Sequence, residues 1–516
     1  MDSDSSSDGT KGLVAPIVVV SKVRWYVCAM YSYMAFMQGL MWFTFSSIPT
    51  VTEQYYKISA QQVDYLLSWG SAIIIVFLPF SAWIASLRKA IKYALIIGAV
   101  SQLVGGFIRF VPCLLPEAQR QSGKVGHPML HIGQIIIAIS GPLVFSTPSR
   151  VAFEWFPDSE KNIAASLIMN ATTLAQAIGY ILGPLLAPEP KSVPVLLGVE
   201  LLMTVPLVVC SLAKFPALPT YPPSAATSAQ HAEMEMKRVT LSSATGRDPD
   251  SFVVSLKEFW REVCVSVKNL HFVAIVCVFG LYIALLIVWD GLLPQVLATR
   301  FSARASGVMG FAAMIMGIVF CQVFGILSDK VFKRKIVVFF CVAMAGTMAF
   351  LVLVAMAFPG VFWKSGPLIN SSAVPTGVLV TLLGGIFTAP YGLVYILVAE
   401  MSYPASESIS AVLVSWLESV ISIIFLDVWP LCPTHYFAVF TFVGCLICLV
   451  AVLFIKTSYS RSNMEKASIG GAGGGGGGGE GYDSEELFLD EKEMIPSINY
   501  SESDFLMRSC EYEYLK

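Results

Sequence analysis

Eleven polar or aromatic side chains lie inside long apolar stretches of the sequence and are the main candidates for chemistry. Asp290 and Glu418 are carboxylates, which can hold a cation or carry a proton. The others are amides and aromatic rings, which suit a polar or flat organic molecule. Polar groups are costly in an apolar environment, so such residues usually face a cavity. The candidate binding residues are Gln38, Trp42, Gln134, Asn170, Gln176, Tyr282, Trp289, Tyr391 and Tyr395.

The two carboxylates are the most informative of these residues. Glu418 falls near the middle of its apolar stretch and Asp290 nearer one end. Burial disfavours a charged carboxylate, which suits a group that takes up a proton or binds a cation. Alternatively, Glu418 forms a structural hydrogen bond to a neighbouring helix, and Asp290 is exposed to water. We interpret Glu200 as peripheral and His131 as a surface or structural residue. The scarcity of buried bases argues against a phosphorylated or polyanionic substrate.

A second group of residues lies where apolar stretches end beside basic clusters. The segment GILSDKVFKRK (325–335) combines a glycine, an acid and four bases, and a weaker version without the acid, WIASLRKAIKY, occurs at 83–93. Glycine lets two helices approach closely, and an acid at a helix end can pair with a base on another helix. We therefore predict a cytoplasmic gate that consists of Arg150, Gly325, Asp329, Arg334 and Glu400.

The elements that must position these residues are long apolar helices. The chain has 516 residues, of which 56% are hydrophobic and 13% charged, with a mean hydropathy of +0.70. This composition excludes an ordinary soluble enzyme, a disordered scaffold and a nucleic-acid binder, and the runs are too uniform for barrel strands. We predict an all-α polytopic membrane protein with twelve transmembrane helices in two six-helix halves. The spans are 25–48, 65–86, 92–112, 129–149, 163–187, 192–215, 271–296, 305–328, 335–358, 375–399, 407–430 and 435–456.

The bases in the short loops predict the orientation, because cytoplasmic loops carry an excess of lysine and arginine. Both termini are then cytoplasmic, and the glycosylation sequon at Asn370 lies on the opposite side. The plasma membrane or an endolysosomal or vacuolar membrane is the expected location, and Tyr512–Leu515 matches a signal for a sorting adaptor. The predicted domains are a cytoplasmic segment 1–24, a first half 25–215, a cytoplasmic central loop 216–270, a second half 271–456 and a disordered Gly-rich, acidic tail 457–516.

Several of these motifs together resemble a known family. The segment GILSDKVFKRK and its weaker copy look like the loop motif of the major facilitator superfamily and indicate an internal repeat. Four other strings resemble the solute carrier family of the feline leukemia virus subgroup C receptor-related transporters, nearest its disrupted in renal carcinoma 2 branch. They are TPSRVAFEWFPDSEK after the fourth span, AEMSYPASESIS after the tenth, QGLMW in the first and HIGQ in the fourth.

The resemblance implies an alternating-access carrier in the lipid bilayer, with a central site for a small organic molecule. It favours a vitamin-like substrate of the pyridoxine type, with choline or ethanolamine and haem as alternatives, and proton coupling as a further expectation. The branch associated with choline and haem carries an aromatic residue where this chain has Gly39, and Trp42 is the residue that can compensate. A receptor or nutrient sensor without transport is the alternative of another class. We expect no enzyme activity and no cofactor, since the sequence contains no nucleophile–base pair, phosphate loop or metal cluster.

Overall fold

The computed structural model describes residues 20–157, 160–213, 215–223, 236, 239–240, 251–298, 301–330, 334–356, 373–402, 407–428 and 436–454. Helices dominate these residues, and no strand occurs among them. The helices are α1 (Val23–Ser47), α2 (Pro49–Tyr56), α3 (Ala60–Ser86), α4 (Ala90–Leu114), α5 (Glu117–Arg120), α6 (Gly126–Ala138), α7 (Ser140–Ser146), α8 (Pro148–Trp155), α9 (Lys161–Leu186), a 3₁₀ turn (Pro190–Ser192), α10 (Val193–Ala213), α11 (Phe252–Ser266), α12 (Leu270–Ala298), α13 (Ala303–Lys330), α14 (Arg334–Met356), α15 (Ala373–Thr388), α16 (Tyr391–Ser402), α17 (Glu407–Val428) and α18 (Tyr436–Phe454).

Nine helical segments of the described chain are long and apolar enough to cross a membrane. Three of the twelve predicted spans are not among them. They are α1 with 25 residues, α17 with 22 residues, and the last span, whose apolar part is the shorter segment Val439–Phe454. Because about 20 residues cross a bilayer, α1 and α17 have the required length. The structure confirms an all-α polytopic membrane fold, with nine spans meeting both criteria.

Local sequence signals explain how the first two spans are joined. Pro49 occupies the first turn of α2, where its missing N–H is not needed. Lys57 ends α2 in the left-handed conformation at φ 54°. Ser59 then caps α3, because its hydroxyl accepts from the Gln62 N–H at 3.3 Å and the Gln62 side chain accepts from the Ser59 N–H at 3.0 Å. This sharp turn returns the chain so that α3 packs against α1.

Equivalent helix pairs recur in the two halves of the chain. In the first half α1 packs along α9, and in the second half α12 packs along α17. The pair α4 and α10 corresponds to α14 and α18, and the contact of α3 with α6 and α7 corresponds to that of α13 with α15. These matched pairs show the internal repeat that the two basic loops indicate, and they place equivalent helices around a shared centre.

Two extended helix contacts join the halves. One is between α9 and α13, and the other is between α3 and α17. In addition, α1 contacts α12. The segment 251–270, which mixes apolar and basic residues and predicts an amphipathic helix, forms α11 and packs against α3 and α17. Phe252 of α11 stacks edge-to-face on Trp83 with 5.5 Å between ring centroids. This helix therefore contacts both halves.

The fourth and tenth spans are each interrupted in the membrane. The fourth is divided at Ile139 into α6 and α7, and the tenth is divided at Ala389 and Pro390 into α15 and α16. Pro390 explains the second break, because proline has no N–H to donate and disfavours helical geometry in the residue before it. Both breaks are short, because Ile139 keeps helical dihedral angles and each span continues as one apolar segment, and they lie at corresponding positions of the two halves.

Candidate functional site

A cavity lies between the two halves, beside both helix interruptions. Its water-accessible volume is about 100 Å³. Nine helices contribute to its wall. The lining residues are Gln38, Trp42, Phe43, Gly70, Ser71, Ile74, Gly141, Val144, Phe145, Met169, Thr172, Thr173, Gln176, Leu286, Ile287, Asp290, Met314, Thr388, Tyr391 and Glu418.

The first half supplies amides and an indole to this cavity from α1 and α9. Gln38 is 4% exposed, and its Oε1 has no hydrogen-bond partner among the described residues. Trp42 lies one turn further along α1, and its Nε1 donates to the Leu67 carbonyl at 3.0 Å. That bond fixes the indole ring at the cavity wall. Gln176 of α9 completes the set of amides.

The second half supplies two carboxylates, Asp290 from α12 and Glu418 from α17. Glu418 is 5% exposed. Neither carboxylate forms a hydrogen bond or ion pair with a described residue, although the backbone carbonyl of Asp290 accepts from the Tyr180 hydroxyl at 2.5 Å. No lysine or arginine is among the residues described as lining the cavity. The described lining is therefore acidic and contains no basic side chain.

Six of the eleven predicted binding and proton-coupling residues line the cavity: Gln38, Trp42, Gln176, Asp290, Tyr391 and Glu418. Their roles stay predictions, but the structure brings them together around one hollow. The sequence missed the neutral hydroxyls of Ser71, Thr172, Thr173 and Thr388, because such residues are common in transmembrane helices and carry no distinguishing signal.

The other five predicted residues lie outside the lining. Tyr282 is fully buried and donates to the Phe387 carbonyl at 2.8 Å, and Trp289 is 1% exposed in the core of the second half. Tyr395 lies behind Tyr391, with 5.4 Å between ring centroids. Two residues of the first half, Asn170 and Gln134, are also absent from the lining.

Gln134 belongs to a buried polar network in the first half. Its Oε1 accepts from Arg109 at 3.1 Å, and its Nε2 donates to the Trp42 carbonyl at 3.3 Å. Arg109 also forms an ion pair with Glu200. The interpretation of Glu200 as peripheral is therefore wrong, because the carboxylate is 1% exposed and paired inside the helix bundle.

The sequence indicates that each of these two charges needs a partner, but it does not indicate which one. Arg109 and Glu200 are single opposite charges within two separate apolar stretches, where an unpaired charge is costly. Arg109 is the one fully buried base among the described residues, which agrees with the expected scarcity of buried bases. It is neutralised by Glu200 and does not line the cavity.

His131 agrees with its structural interpretation. Its Nδ1 accepts from the Trp69 Nε1 at 3.0 Å, which links α6 to α3.

The predicted cytoplasmic gate is described only in part. Arg150 pairs with Glu154 of its own helix at 2.6 Å. Gly325 faces open space, with no heavy atom within 4 Å of the position of a Cβ. The side chains of Asp329, Arg334 and Glu400, and the whole of Asn370, lie outside the described residues.

At the opposite end of the cavity the halves are linked directly. Gln295, near the end of α12, donates to the Asp64 carboxylate near the start of α3 at 2.5 Å. One turn earlier on α12, Gly291 faces Leu67 of α3. Together with the bond from Tyr180 to Asp290, these contacts join the two halves at this end.

Comparison with known proteins agrees with this geometry. The family model of the Major Facilitator Superfamily matches residues 31–424. The chain belongs to the major facilitator superfamily. Solute carrier family 49 member A3 of Xenopus tropicalis is 24% identical over 394 residues, which are 75% of this chain and 73% of that protein. The choline/ethanolamine transporter FLVCR2 of Rattus norvegicus is 24% identical over 425 residues, covering 79% of this chain and 69% of that protein.

A third relative and a solved structure complete the comparison. The solute carrier family 49 member 4 homolog of Xenopus tropicalis is 24% identical, covering 85% of this chain and 92% of that protein. The crystal structure of a D-xylose-proton symporter has a TM-score of 0.59 at 15% identity, covering 84% of this chain and 98% of that chain. The superfamily and the resemblance to the receptor-related solute carriers are thus confirmed. The protein is a multi-pass membrane transporter of this superfamily.

Proposed function

We propose that the protein is an alternating-access carrier of a small organic cation of the choline and ethanolamine class. The observation that carries this proposal is the pair of cavity carboxylates, Asp290 and Glu418, which have no ion partner among the described residues. An unpaired buried carboxylate is costly, so a bound cation or proton is needed to offset the charge. Relatives that are named choline/ethanolamine transporters support the same class.

The aromatic residues of the cavity fit the same type of substrate. Trp42 from the first half and Tyr391 from the second present rings to the hollow that Asp290 also lines. An ammonium group over an aromatic face in a partly desolvated site gains about 1–2 kcal/mol. A cation held by the Trp42 ring of the first half and by a ring and carboxylates of the second would bind most tightly when the halves approach, which links binding to the rocking motion.

The choline- and haem-associated branch has an aromatic residue where this chain has Gly39, but this difference does not contradict the proposal. Gly39 is not part of the cavity lining, and a Cβ there would lie 2.7 Å from the Thr172 carbonyl of α9. Trp42, by contrast, lines the cavity and supplies an aromatic ring from the same helix.

Pyridoxine is the second candidate substrate. Its flat ring can stack on Trp42 or Tyr391, and its hydroxyl groups can bond to Gln38 and Thr388, all of which line the cavity. Haem is disfavoured by charge, because its carboxylates would meet Asp290 and Glu418 without a described basic residue in the lining.

Uptake of radiolabelled choline, ethanolamine and pyridoxine into proteoliposomes tests the proposal. We expect saturable uptake of choline or ethanolamine, and Trp42→Ala should raise its KM about five- to thirtyfold through the lost cation–π contact. Trp25→Ala is the matched control, since Trp25 also lies on α1 but packs on Phe156 with 5.2 Å between ring centroids.

Three results would contradict the proposal in different ways. Uptake of pyridoxine alone would favour the second candidate. Tight choline binding without uptake would favour a receptor or sensor. An equal loss of uptake in both tryptophan variants would remove the special role of Trp42.

A further inference from the structure

The Arg109–Glu200 pair is a fully buried charged cluster in the first half that lies outside the cavity lining. Arg109 and Glu200 are 0% and 1% exposed and come from α4 and α10. The Thr44 hydroxyl donates to the Glu200 carboxylate, whose two oxygens lie 2.8 and 2.9 Å from Oγ1. A buried ion pair is weak support for stability, because desolvation offsets most of its attraction. Its presence therefore requires another explanation.

Each branch of this network ends on the same turn of α1. Arg109 Nη1 donates to the Met41 carbonyl at 2.8 Å. Gln134, which accepts from Arg109, donates in turn to the Trp42 carbonyl. Thr44 completes the turn through Glu200. The charged cluster thus holds the backbone segment 41–44, which carries the Trp42 indole at the cavity wall.

A neutral contact of the same kind occurs two turns earlier on both helices. Gln102 of α4 donates to the Met34 carbonyl of α1 at 3.0 Å, seven residues before Arg109 and Met41 respectively. An amide is sufficient to join the helices there. The charged cluster with its several hydrogen bonds occurs only at the turn that bears Trp42, as far as the described residues of α1 show.

We infer that Arg109 and Glu200 are positioning residues, which hold the 41–44 turn of α1 so that Trp42 presents its ring to the bound cation. Neither touches the cavity, and both act through Thr44, Gln134 and the backbone of α1. The predicted effect on the choline KM rests on the proposed function, whereas the predicted positioning of the α1 backbone does not.

The decisive variant replaces the whole pair, Arg109→Met with Glu200→Leu. Two apolar residues of similar volume should preserve folding, since such replacements of buried ion pairs are often neutral or stabilising. We expect a Tm close to that of the wild type, a choline KM raised about five- to thirtyfold with a smaller change in Vmax, and faster hydrogen–deuterium exchange in the 41–46 amides of α1.

Two further variants keep the test decisive. Gln134→Leu leaves the ion pair intact and removes the bridge to the Trp42 carbonyl, so it should raise the KM by a smaller factor. Gln102→Leu is the matched control, because it removes a contact between α4 and α1 away from Trp42 and should leave the KM within about twofold.

The inference is overturned if the double variant and Gln134→Leu both fold and show the wild-type KM and wild-type exchange in α1. It is also overturned if Gln102→Leu has the same effect as the double variant, since the role would then be general packing. A wild-type protein that takes up no choline would overturn the proposed function alone. The exchange rates of α1 would still decide whether the pair positions this helix.

Discussion

At the scale of single residues, charge decides what the cavity can accept. Asp290 and Glu418 line it without a described ion partner, while the buried base Arg109 is neutralised elsewhere by Glu200. A cavity with acids and rings but no described base attracts cations and repels anions. We propose that Asp290 faces the substrate cation and that the more deeply buried Glu418 carries a proton, because a neutral acid avoids the cost of moving a buried charge.

Replacement of Glu418 tests the proposed proton coupling. Glu418→Gln should transport choline without responding to a pH gradient, because an amide cannot take up the coupled proton. One proton per substrate allows about tenfold accumulation per pH unit, since each unit is worth about 1.4 kcal/mol. Uptake into vesicles with and without the gradient measures this response.

Asp427→Asn is the matched control for this experiment. Asp427 lies on the same helix as Glu418 but does not line the cavity, so the pH response should remain. A gradient response that survives in Glu418→Gln would remove the proton role of Glu418.

At the scale of elements, α1 is the helix on which the site depends. It contributes Gln38 and Trp42 to the cavity, it packs along α9, and α4 holds it from the other side. Close packing against α9 requires glycine at position 39, where a Cβ would lie 2.7 Å from the Thr172 carbonyl. At Gly179, on the facing side of α9, the nearest atoms are 3.7 Å away, which is ordinary contact.

These two glycines predict opposite responses to substitution. Gly39→Val should destabilise the protein by about 1–3 kcal/mol, because the added methyl groups force α1 and α9 apart. Gly179→Ala should be neutral or stabilising by up to about 1 kcal/mol, as expected for alanine in a helix. Thermal unfolding in detergent compares the two variants. Equal Tm values would show that the approach of α1 and α9 does not depend on Gly39.

At the scale of the whole molecule, the conformation is defined by the end of the cavity at which hydrogen bonds join the two halves. Gln295 bonds to Asp64 and Tyr180 bonds to the carbonyl of Asp290, and both bonds connect α12 to helices of the first half. The corresponding base at the other end, Arg150, pairs within its own helix. The described contacts therefore represent one state of a carrier that we propose to alternate.

Loss of the Gln295–Asp64 bond should favour the opposite state. In Gln295→Leu, a cysteine placed at Ser71 in the cavity should react about three- to tenfold faster with an impermeant maleimide, from the side of the membrane where α12 ends. The same protein with Ser71 retained gives the labelling of the native cysteines, which is subtracted. Gln61→Leu is the control, because Gln61 bonds to Tyr65 of its own helix at 2.9 Å. Unchanged labelling in Gln295→Leu would show that this bond does not hold the two halves together at this end.

The predicted orientation is tested by glycosylation. If both termini are cytoplasmic, Asn370 lies on the side that receives glycans, and Asn370→Gln should abolish a glycosidase-sensitive shift in gel mobility. Asn499→Gln in the tail should have no effect. A shift that depends on Asn499 would reverse the proposed orientation.

Composition and length alone determined the class of fold. Runs of about 20 apolar residues must be helical in lipid, because every backbone polar group needs a partner within the segment. The two related basic loops at 83–93 and 325–335 were sufficient to indicate an internal repeat. The cost of polar groups in such helices also identified six of the side chains that line the cavity.

Only the tertiary structure decided which of these side chains share the cavity. A transmembrane helix is apolar on most of its surface, since lipid and protein interior are equally apolar, so its sequence does not reveal which face lines a hollow. Gln38 and Glu418 therefore looked equivalent to Gln134 and Tyr282, although the first two line the cavity and the others do not. The pairing of Arg109 with Glu200, across 91 residues of chain, arises from the packing of α4 against α10, which no local pattern specifies.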